Sequence, residues 1–371
     1  MQAIGHELSI GGVLRSVTTK VPAYKVAILG LGDAGMALHL PALQGIAGVV
    51  VAGACDPDPA RRAAASSRWK IPVFARSGEL IAAAKPDLVV VATPPDTHPA
   101  LCIEAFNARA DVLCEKPFAE TVDEADDVLS AAASTGRRIA LNHEFREMPI
   151  FRALVDASAD RGHITFAQAW QSVDMPPWND SGWRGRMRRR ALHEAGVHLV
   201  DLLVAVFGEM PLAVSATFSG GGIADGESDA VGVATLEFSR GRVAQLIQNR
   251  IAKGDPRYFE ARVDTDTATY RASFGGRARL ITGLFHGQRL HARVEYGISG
   301  IAWREQGHSR RILARNPADP RAAATRSVLE QTIAAFRSGA EPPTSGAHAR
   351  ALLAVVDACY RSAATRERIQ L

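Results

Sequence analysis

The hexapeptide Gly30-Leu31-Gly32-Asp33-Ala34-Gly35 constrains this chain most, because of what flanks it. The apolar run 26–29 before it reads as a strand, and the stretch 34–44 after it reads as a helix. In such a unit the first glycine permits a tight turn and the second lets backbone approach a pyrophosphate. The third lets helix pack on strand, with the helix N-terminus facing the anion. Alone the hexapeptide is a weak signal; between these two elements it predicts a dinucleotide cradle built from Gly30, Gly32, Asp33, Ala34 and Gly35.

Downstream, short apolar strands alternate with longer alanine-rich helices, the pattern of a parallel sheet covered by helices. The strand 49–55 ends at Asp56, 21 residues after Gly35, where a carboxylate accepts hydrogen bonds from an adenosine ribose. That favours NAD, while Arg61 and Arg62 keep NADP open through a 2′-phosphate; Asp56 also reads as a turn former before Pro57. Helix 77–85 and strand 87–92 lead into Thr93-Pro94-Pro95-Asp96-Thr97-His98. Ligands collect beyond the C-terminal ends of parallel strands, so this turn belongs near nicotinamide and ribose, although His98 also suits a helix start. Helix 97–108, strand 111–114, helix 121–135 and strand 138–142 complete a doubly wound sheet.

Strand 111–114 runs into Glu115-Lys116-Pro117, on the same edge of the sheet as Thr93–His98, so Glu115 and Lys116 are expected beside the cofactor. Lysine is rare here, six of 43 basic residues, and only an ammonium can be desolvated towards neutral pH and serve as an acid or base. Lys116 is therefore either chemistry or a strand-end ion pair with Glu115.

Beyond His143 the texture changes to apolar-polar alternation at 164–171, 212–218, 230–238, 242–250, 258–265, 267–274 and 288–296, with a hairpin turn at 239–242. This predicts a large, mostly antiparallel open sheet, with one helix, 192–207, between its first two strands. Segments 322–337 and 347–361 are helical again. On a helix Glu194, His198 and Asp201 fall along one stripe, and a carboxylate one turn from an imidazole can raise its basicity for general-base work. His193 and His198 are five apart, poor geometry for a metal pair, whereas Glu194, His198 and a distant third ligand stay open. Five arginines in the seven residues 184–190 are either a solvated loop or the mouth of a site that holds a carboxylate or phosphate.

With 371 residues, 47% hydrophobic and 22% charged, the chain suits a soluble protein of roughly two domains. A charge of +4 without lysine tracts argues against nucleic acid, and no apolar run approaches membrane-spanning length. Cys55, Cys102, Cys114 and Cys359 are widely spaced, as expected of reduced thiols in a cytoplasm. Residues 1–23 read as a loose extension without the apolar centre of a secretory signal.

The glycine loop, Thr93–His98, Glu115-Lys116-Pro117, Asn142 with Arg146, Glu194-x-Gly196-x-His198 and the ending Tyr360-Arg361-Ser362-Ala363 together resemble the Gfo/Idh/MocA family over residues 25–371. The resemblance implies an α/β architecture. A Rossmann domain spans 24–143, an α+β substrate domain 144–321 makes oligomer contacts through its sheet, and a helical segment 322–371 packs back near the first domain. It implies NAD(P)-dependent oxidation or reduction of a sugar, cyclitol or related small molecule by a homodimer or homotetramer. Lys116 would hold or protonate the reacting oxygen, His198 would be the acid/base, and Glu194 would stand where an aspartate touches substrate or nicotinamide. Asn142, Arg146, Arg188, Arg189, Arg190 and Asp201 would meet substrate, and no metal is expected. Two departures favour an anionic or otherwise atypical substrate: a carboxylate longer by on the order of 1 Å, and arginines in place of the usual glycine-rich run. A lyase or hydrolase with recycled NAD or a metal, and a non-catalytic cofactor sensor, are the competing expectations.

Overall fold

A computed structural model describes residues 23–159, 163–174, 182–220, 228–253, 258–275, 279–285, 289–295 and 300–371. The expected extension, but for its last residue, lies outside the described residues.

The first half winds as β1 (Tyr24–Leu29), a π-helical turn Gly35–His39 passing into α1 (Leu40–Leu43), β2 (Val49–Cys55), α2 (Pro59–Trp69), β3 (Val73–Phe74) and α3 (Ser77–Ala84). It continues through β4 (Leu88–Val91), α4 (His98–Asn107), β5 (Asp111–Cys114), α5 (Val122–Thr135) and β6 (Ile139–Leu141). All strand pairs are parallel, in the order β3-β2-β1-β4-β5-β6. Both faces of the sheet are covered, which is why Leu88-Val89-Val90-Val91 is a continuous apolar run, fully buried. Helix α5 starts with a capping box: Thr121 accepts from the Glu124 amide while Glu124 reaches back to the Thr121 backbone. The sequence pattern missed α2 and the two-residue edge strand β3, whose short length carries little periodic signal.

The second half begins with α6 (Glu144–Glu147), α7 (Pro149–Ala159), β7 (Ile164–Ser172) and α8 (Gly182–Arg186). A π-helical segment Arg190–Gly196 then continues as α9 (Val197–Phe207). The strands β8 (Ala213–Ser219), β9 (Val231–Glu237), β10 (Val243–Asn249), β11 (Tyr258–Thr265) and β12 (Thr269–Gly275) follow. After them come a separate hairpin of β13 (Arg279–Phe285) and β14 (Arg289–Glu295), then β15 (Ile301–Gln306) and β16 (Ser309–Arg315). The chain closes with α10 (Pro320–Ser338), α11 (Gly346–Thr365) and β17 (Ile369–Gln370). The nine-stranded sheet runs β16-β15-β12-β11-β7-β10-β9-β8-β17 and is antiparallel except where β7 meets β10. The expected hairpin at 239–242 is present: Arg240 and Gly241 take positive φ, and β9 pairs with β10 from Glu237 opposite Val243.

Helix α9 lies on the inner face of this sheet, over Ala167, Ala169, Ala244 and Leu246. Ten of its eleven residues are buried, so its apolar character runs all round, as for a helix covered on every side. Helix α10 joins the first sheet: Val328, Leu329, Ile333 and Phe336 pack with Val26, Ile28 and Val90, and Arg326 donates to the carbonyls of Ala42 and Pro41.

Candidate active site

The glycine loop has the steric character expected of it. Gly30 sits at φ +98°, and a Cβ there would lie 2.3 Å from the Ala92 carbonyl oxygen; one on Gly35 would lie 2.1 Å from the Gly30 carbonyl oxygen. Gly32 has room, with only an Arg61 guanidinium nitrogen at 3.9 Å, so its backbone is open to an approaching group. Asp33 is exposed and Ala34 half-buried beside it. At the end of β2, Asp56 accepts from the Leu31 amide at 2.8 Å and the Asp58 amide at 2.9 Å, tying the ribose-side carboxylate to the loop itself. Arg62 gives its Nη1 to the carbonyls of Asp56 and Pro57, and Arg61 lies 3.6 Å from both Asp56 and Asp58. Sterics and charge here fit a dinucleotide whose adenosine ribose carries no extra phosphate.

The turns after β4 and β5 are clasped together by one side chain. His98, 1% exposed, places its ring nitrogens 2.9 Å from the Thr93 carbonyl and 3.0 Å from that of Pro117, and burial lowers its pKa. The Thr97 hydroxyl lies 2.7 Å from Thr93 Oγ1 and from the Pro94 carbonyl, which holds the first turn compact. The Lys116-Pro117 peptide is cis.

Glu115 and Lys116 point to different partners. Glu115 takes a hydrogen bond from Asn142 at 2.8 Å and lies 2.7 Å from His39 Nε2 on the first helix. Burial alone would raise its pKa, but His39, Asn142 and the nearby Lys116 bring it to about 2. Asn142, fully buried, is thus a support for Glu115 at the base of the site. Sequence reasoning missed His39; the signal was a polar residue on the buried face of the glycine-loop helix. Lys116 instead donates its ammonium to the backbone carbonyl of Glu194 at 2.9 Å, bridging the first sheet to the helix of the second half.

That helix does not start as a regular α-helix. Asp229 receives the amides of Arg190 and Ala191 and the Tyr360 hydroxyl, capping a π-helical turn over Arg190–Gly196. The stripe expected of ideal α-helical spacing is therefore redistributed. Glu194 meets Arg184 at 3.4 Å and Arg250 at 3.5 Å; burial would raise its carboxyl, yet Lys116, Arg250 and Arg184 hold it below its ordinary value. His198, 6% exposed, stacks on Phe145 with ring centroids 4.1 Å apart and lies 4.0 Å from Glu144. Burial raises the Glu144 carboxyl, with Arg321 and Lys116 opposing and Glu115 adding to the rise. Asp201 turns away to Arg146 at 3.0 Å and to His348 at 2.8 Å, a clasp between α6, α9 and α11. Among the described residues no group of three or more His, Cys, Asp or Glu side chains could hold a metal ion.

The three adjacent arginines diverge. Arg190 is 1% exposed and approaches Ser228; Arg189 pairs with Asp357 at 2.9 Å and covers the Tyr360 ring; Arg188 is exposed. Arg188 and Arg189, with Trp183 and Arg186, border a cavity of about 510 Å³ that faces Asp96 and Glu120 of the first half. The sequence could not separate them because the turn of the chain at Arg190 depends on Asp229, 39 residues away.

The Asp201 clasp makes a pH prediction. Burial opposes ionisation, but Arg146, His143 and His348 bring the folded pKa to about 2, below the ordinary 3.8. A depressed acid contributes stability above its unfolded pKa and loses it as pH falls towards the folded one. Stability is expected to drop between about pH 4 and pH 2, with Asp201 contributing about 2 kcal/mol of that loss. Urea unfolding of Asp201→Asn across pH 2–7 should show a less stable protein at neutral pH and a shallower acid limb. An acid limb as steep as that of the parent would remove Asp201 from it.

Two family models cover most of the chain: "Oxidoreductase family, NAD-binding Rossmann fold" matches residues 24–143 and "GFO/IDH/MocA C-terminal domain" matches 151–271. D-apiose dehydrogenase of Paraburkholderia graminis is 26% identical over 369 residues, covering 97% of this chain and 92% of that protein. Inositol 2-dehydrogenase of Rhizobium meliloti is also 26% identical, covering 94% and 99% respectively. In fold, the chain is similar to the WlbA dehydrogenase of Bordetella pertussis, solved with NADH and UDP-GlcNAcA. The TM-score is 0.75 at 20% identity, over 94% of this chain and 98% of that one. Among the described residues no helix is long and apolar enough to cross a membrane.

Proposed function

Since the chain belongs to the GFO/IDH/MocA family of NAD-binding oxidoreductases, we propose that it moves hydride between NAD and a secondary alcohol or its ketone on a sugar, cyclitol or sugar acid. The observation that carries this reading is the Lys116 ammonium, held 2.9 Å from the Glu194 carbonyl on the segment that leads to His198. The glycine loop, Asp56 and the Thr93–Pro94 turn would hold NAD, which when bound supplies the acceptor or donor of the hydride.

In the oxidative direction His198 takes the hydroxyl proton. Lys116 redirects its ammonium from the Glu194 carbonyl to the substrate oxygen and stabilises the charge that develops there. Glu194 acts as a fixed charge. Its carboxylate faces Lys116, Arg184 and Arg250, a local group of cations suited to a carboxylate or phosphate on the substrate. At the cavity mouth Arg186, Arg188 and Arg189 stand among Asp96, Glu120 and Asp357, with Asn142 and Arg146 holding the floor. We take 24–143 as the cofactor unit, 144–321 as the substrate unit and 322–371 as the segment packing back. The protein would act in the cytoplasm as a dimer or tetramer through the outer face of the nine-stranded sheet, where Val233, Ile247 and Trp170 lie side by side.

NADH formation on a panel of aldoses including D-apiose, inositols, sugar acids and sugar phosphates tests the reading. Acids or phosphates should exceed their neutral parents by about tenfold or more in kcat/KM, with NAD used in preference to NADP. Faster turnover of neutral parents would overturn the anionic assignment, and no turnover on any member would overturn hydride transfer itself.

A further inference from the structure

Glu144 opens α6, immediately after β6, and its side chain is 1% exposed. Its Oε1 lies 3.5 Å from an Arg321 guanidinium nitrogen, while its Oε2 is buried and makes no hydrogen bond among the described residues. A carboxylate oxygen left unsatisfied in the interior costs stability, so its position calls for another role. That oxygen lies 4.0 Å from His198 Nδ1. The next residue, Phe145, supports the same imidazole face to face, with 12° between the rings. One short stretch of chain thus supplies both the plate and the carboxylate for His198. The carboxylate expected from sequence to orient this ring, Glu194, is engaged by Arg184 and Arg250.

We propose that Glu144 is the positioning residue of His198: its Oε2 accepts a hydrogen bond from Nδ1–H in the substrate complex and leaves Nε2 as the basic nitrogen. The inference rests on the reading of His198 as the acid/base. At 4.0 Å the pair is longer than a hydrogen bond, and such contacts tighten when substrate is bound. An imidazole whose Nδ1–H is held by a carboxylate has one tautomer and a stabilised imidazolium. The ionisable groups carried by the elements near the ring are Glu144 from α6 with its partner Arg321 from α10, Lys116 from the turn after β5, and His193 and Glu194 from the π-helical segment. Arg250 follows the end of β10, and His348 of α11 and Asp201 pair further along α9. Of the carboxylates among these, Asp201 has Arg146 at 3.0 Å and Glu194 has an arginine on each oxygen, whereas the Arg321 contact of Glu144 falls on Oε1 and Oε2 is the oxygen that faces the ring.

Histidine-selective ¹⁵N spectra of the NAD-bound protein test this without a substrate, with His198 assigned by its loss in His198→Gln. The parent should show the Nδ1–H tautomer. Glu144→Gln should lower the His198 pKa by about one unit and mix the tautomers. Glu144→Asp, which keeps the charge but withdraws it, should shift both in the same direction by less, and serves if the glutamine variant fails to fold. A tautomer and pKa unchanged from the parent in the variant that folds overturns the proposal. On the substrate the panel identifies, Glu144→Gln should lower kcat about tenfold with KM within about twofold, and move the acid limb to lower pH. A raised KM with unchanged kcat also overturns it. If His198→Gln retains turnover, the acid/base reading fails on its own, while the spectra still decide whether Glu144 holds the ring.

Discussion

Lys116→Met is expected to lower turnover by about 10³-fold while NAD affinity stays within about threefold. Methionine keeps the length and apolar stem of lysine but offers no proton and no charge. The ammonium donates to the Glu194 carbonyl and no hydrogen bond ties it to the glycine loop, so the loss falls on the reacting oxygen and not on cofactor binding. The lost hydrogen bond costs about 1 kcal/mol of stability, small enough to leave the protein folded. Steady-state kinetics on the panel's best substrate, paired with NADH fluorescence titration, measures both quantities. Turnover within a few-fold of the parent would take Lys116 out of the chemistry and leave it as a bridge between the two halves.

The second large effect concerns the glycine loop. Gly35→Ala drives a methyl group to 2.1 Å from the Gly30 carbonyl oxygen, backbone against backbone, and Gly30→Ala adds a positive φ to a 2.3 Å clash with Ala92. Neither can relax without opening the turn between β1 and its helix. Each should lose NAD affinity by about 100-fold or more and destabilise the protein by about 2 kcal/mol or more. Gly32→Ala is the informative contrast. Its Cβ meets only Arg61, at 3.9 Å. Stability without cofactor should then stay within about 0.5 kcal/mol of the parent while NAD affinity falls, because only the bound pyrophosphate needs that space. Equal losses of stability at all three positions in thermal melts would contradict the division of labour.

Both effects concern residues visible in the sequence, and for the same reason: their constraints are local. A glycine needed for a turn, or a lysine at the end of a buried strand, is specified by its immediate neighbours. The first sheet was legible in the same way, since parallel strands buried on both faces read as unbroken apolar runs. The second half was less so. Its strands β15 and β16 carry Arg304, Arg310, Arg311 and Arg315, which blur the alternation, and the parallel pairing of β7 with β10 joins segments more than seventy residues apart.

The site divides along the same line. Sequence by itself determined the family and the glycine loop between its strand and helix, and it singled out Lys116, Glu194 and His198 as candidates. Only tertiary structure decided how they are wired: His39 and Asn142 take Glu115, leaving Lys116 for the Glu194 carbonyl. Arg184 and Arg250 take Glu194, Arg146 and His348 take Asp201, and Glu144 is placed against His198. The physical reason is that helical spacing fixes which side chains share a face only while the helix is regular. Here Asp229, just before β9 and 39 residues on in the chain, caps a π-helical turn at Arg190–Gly196 and resets the directions in which those side chains point.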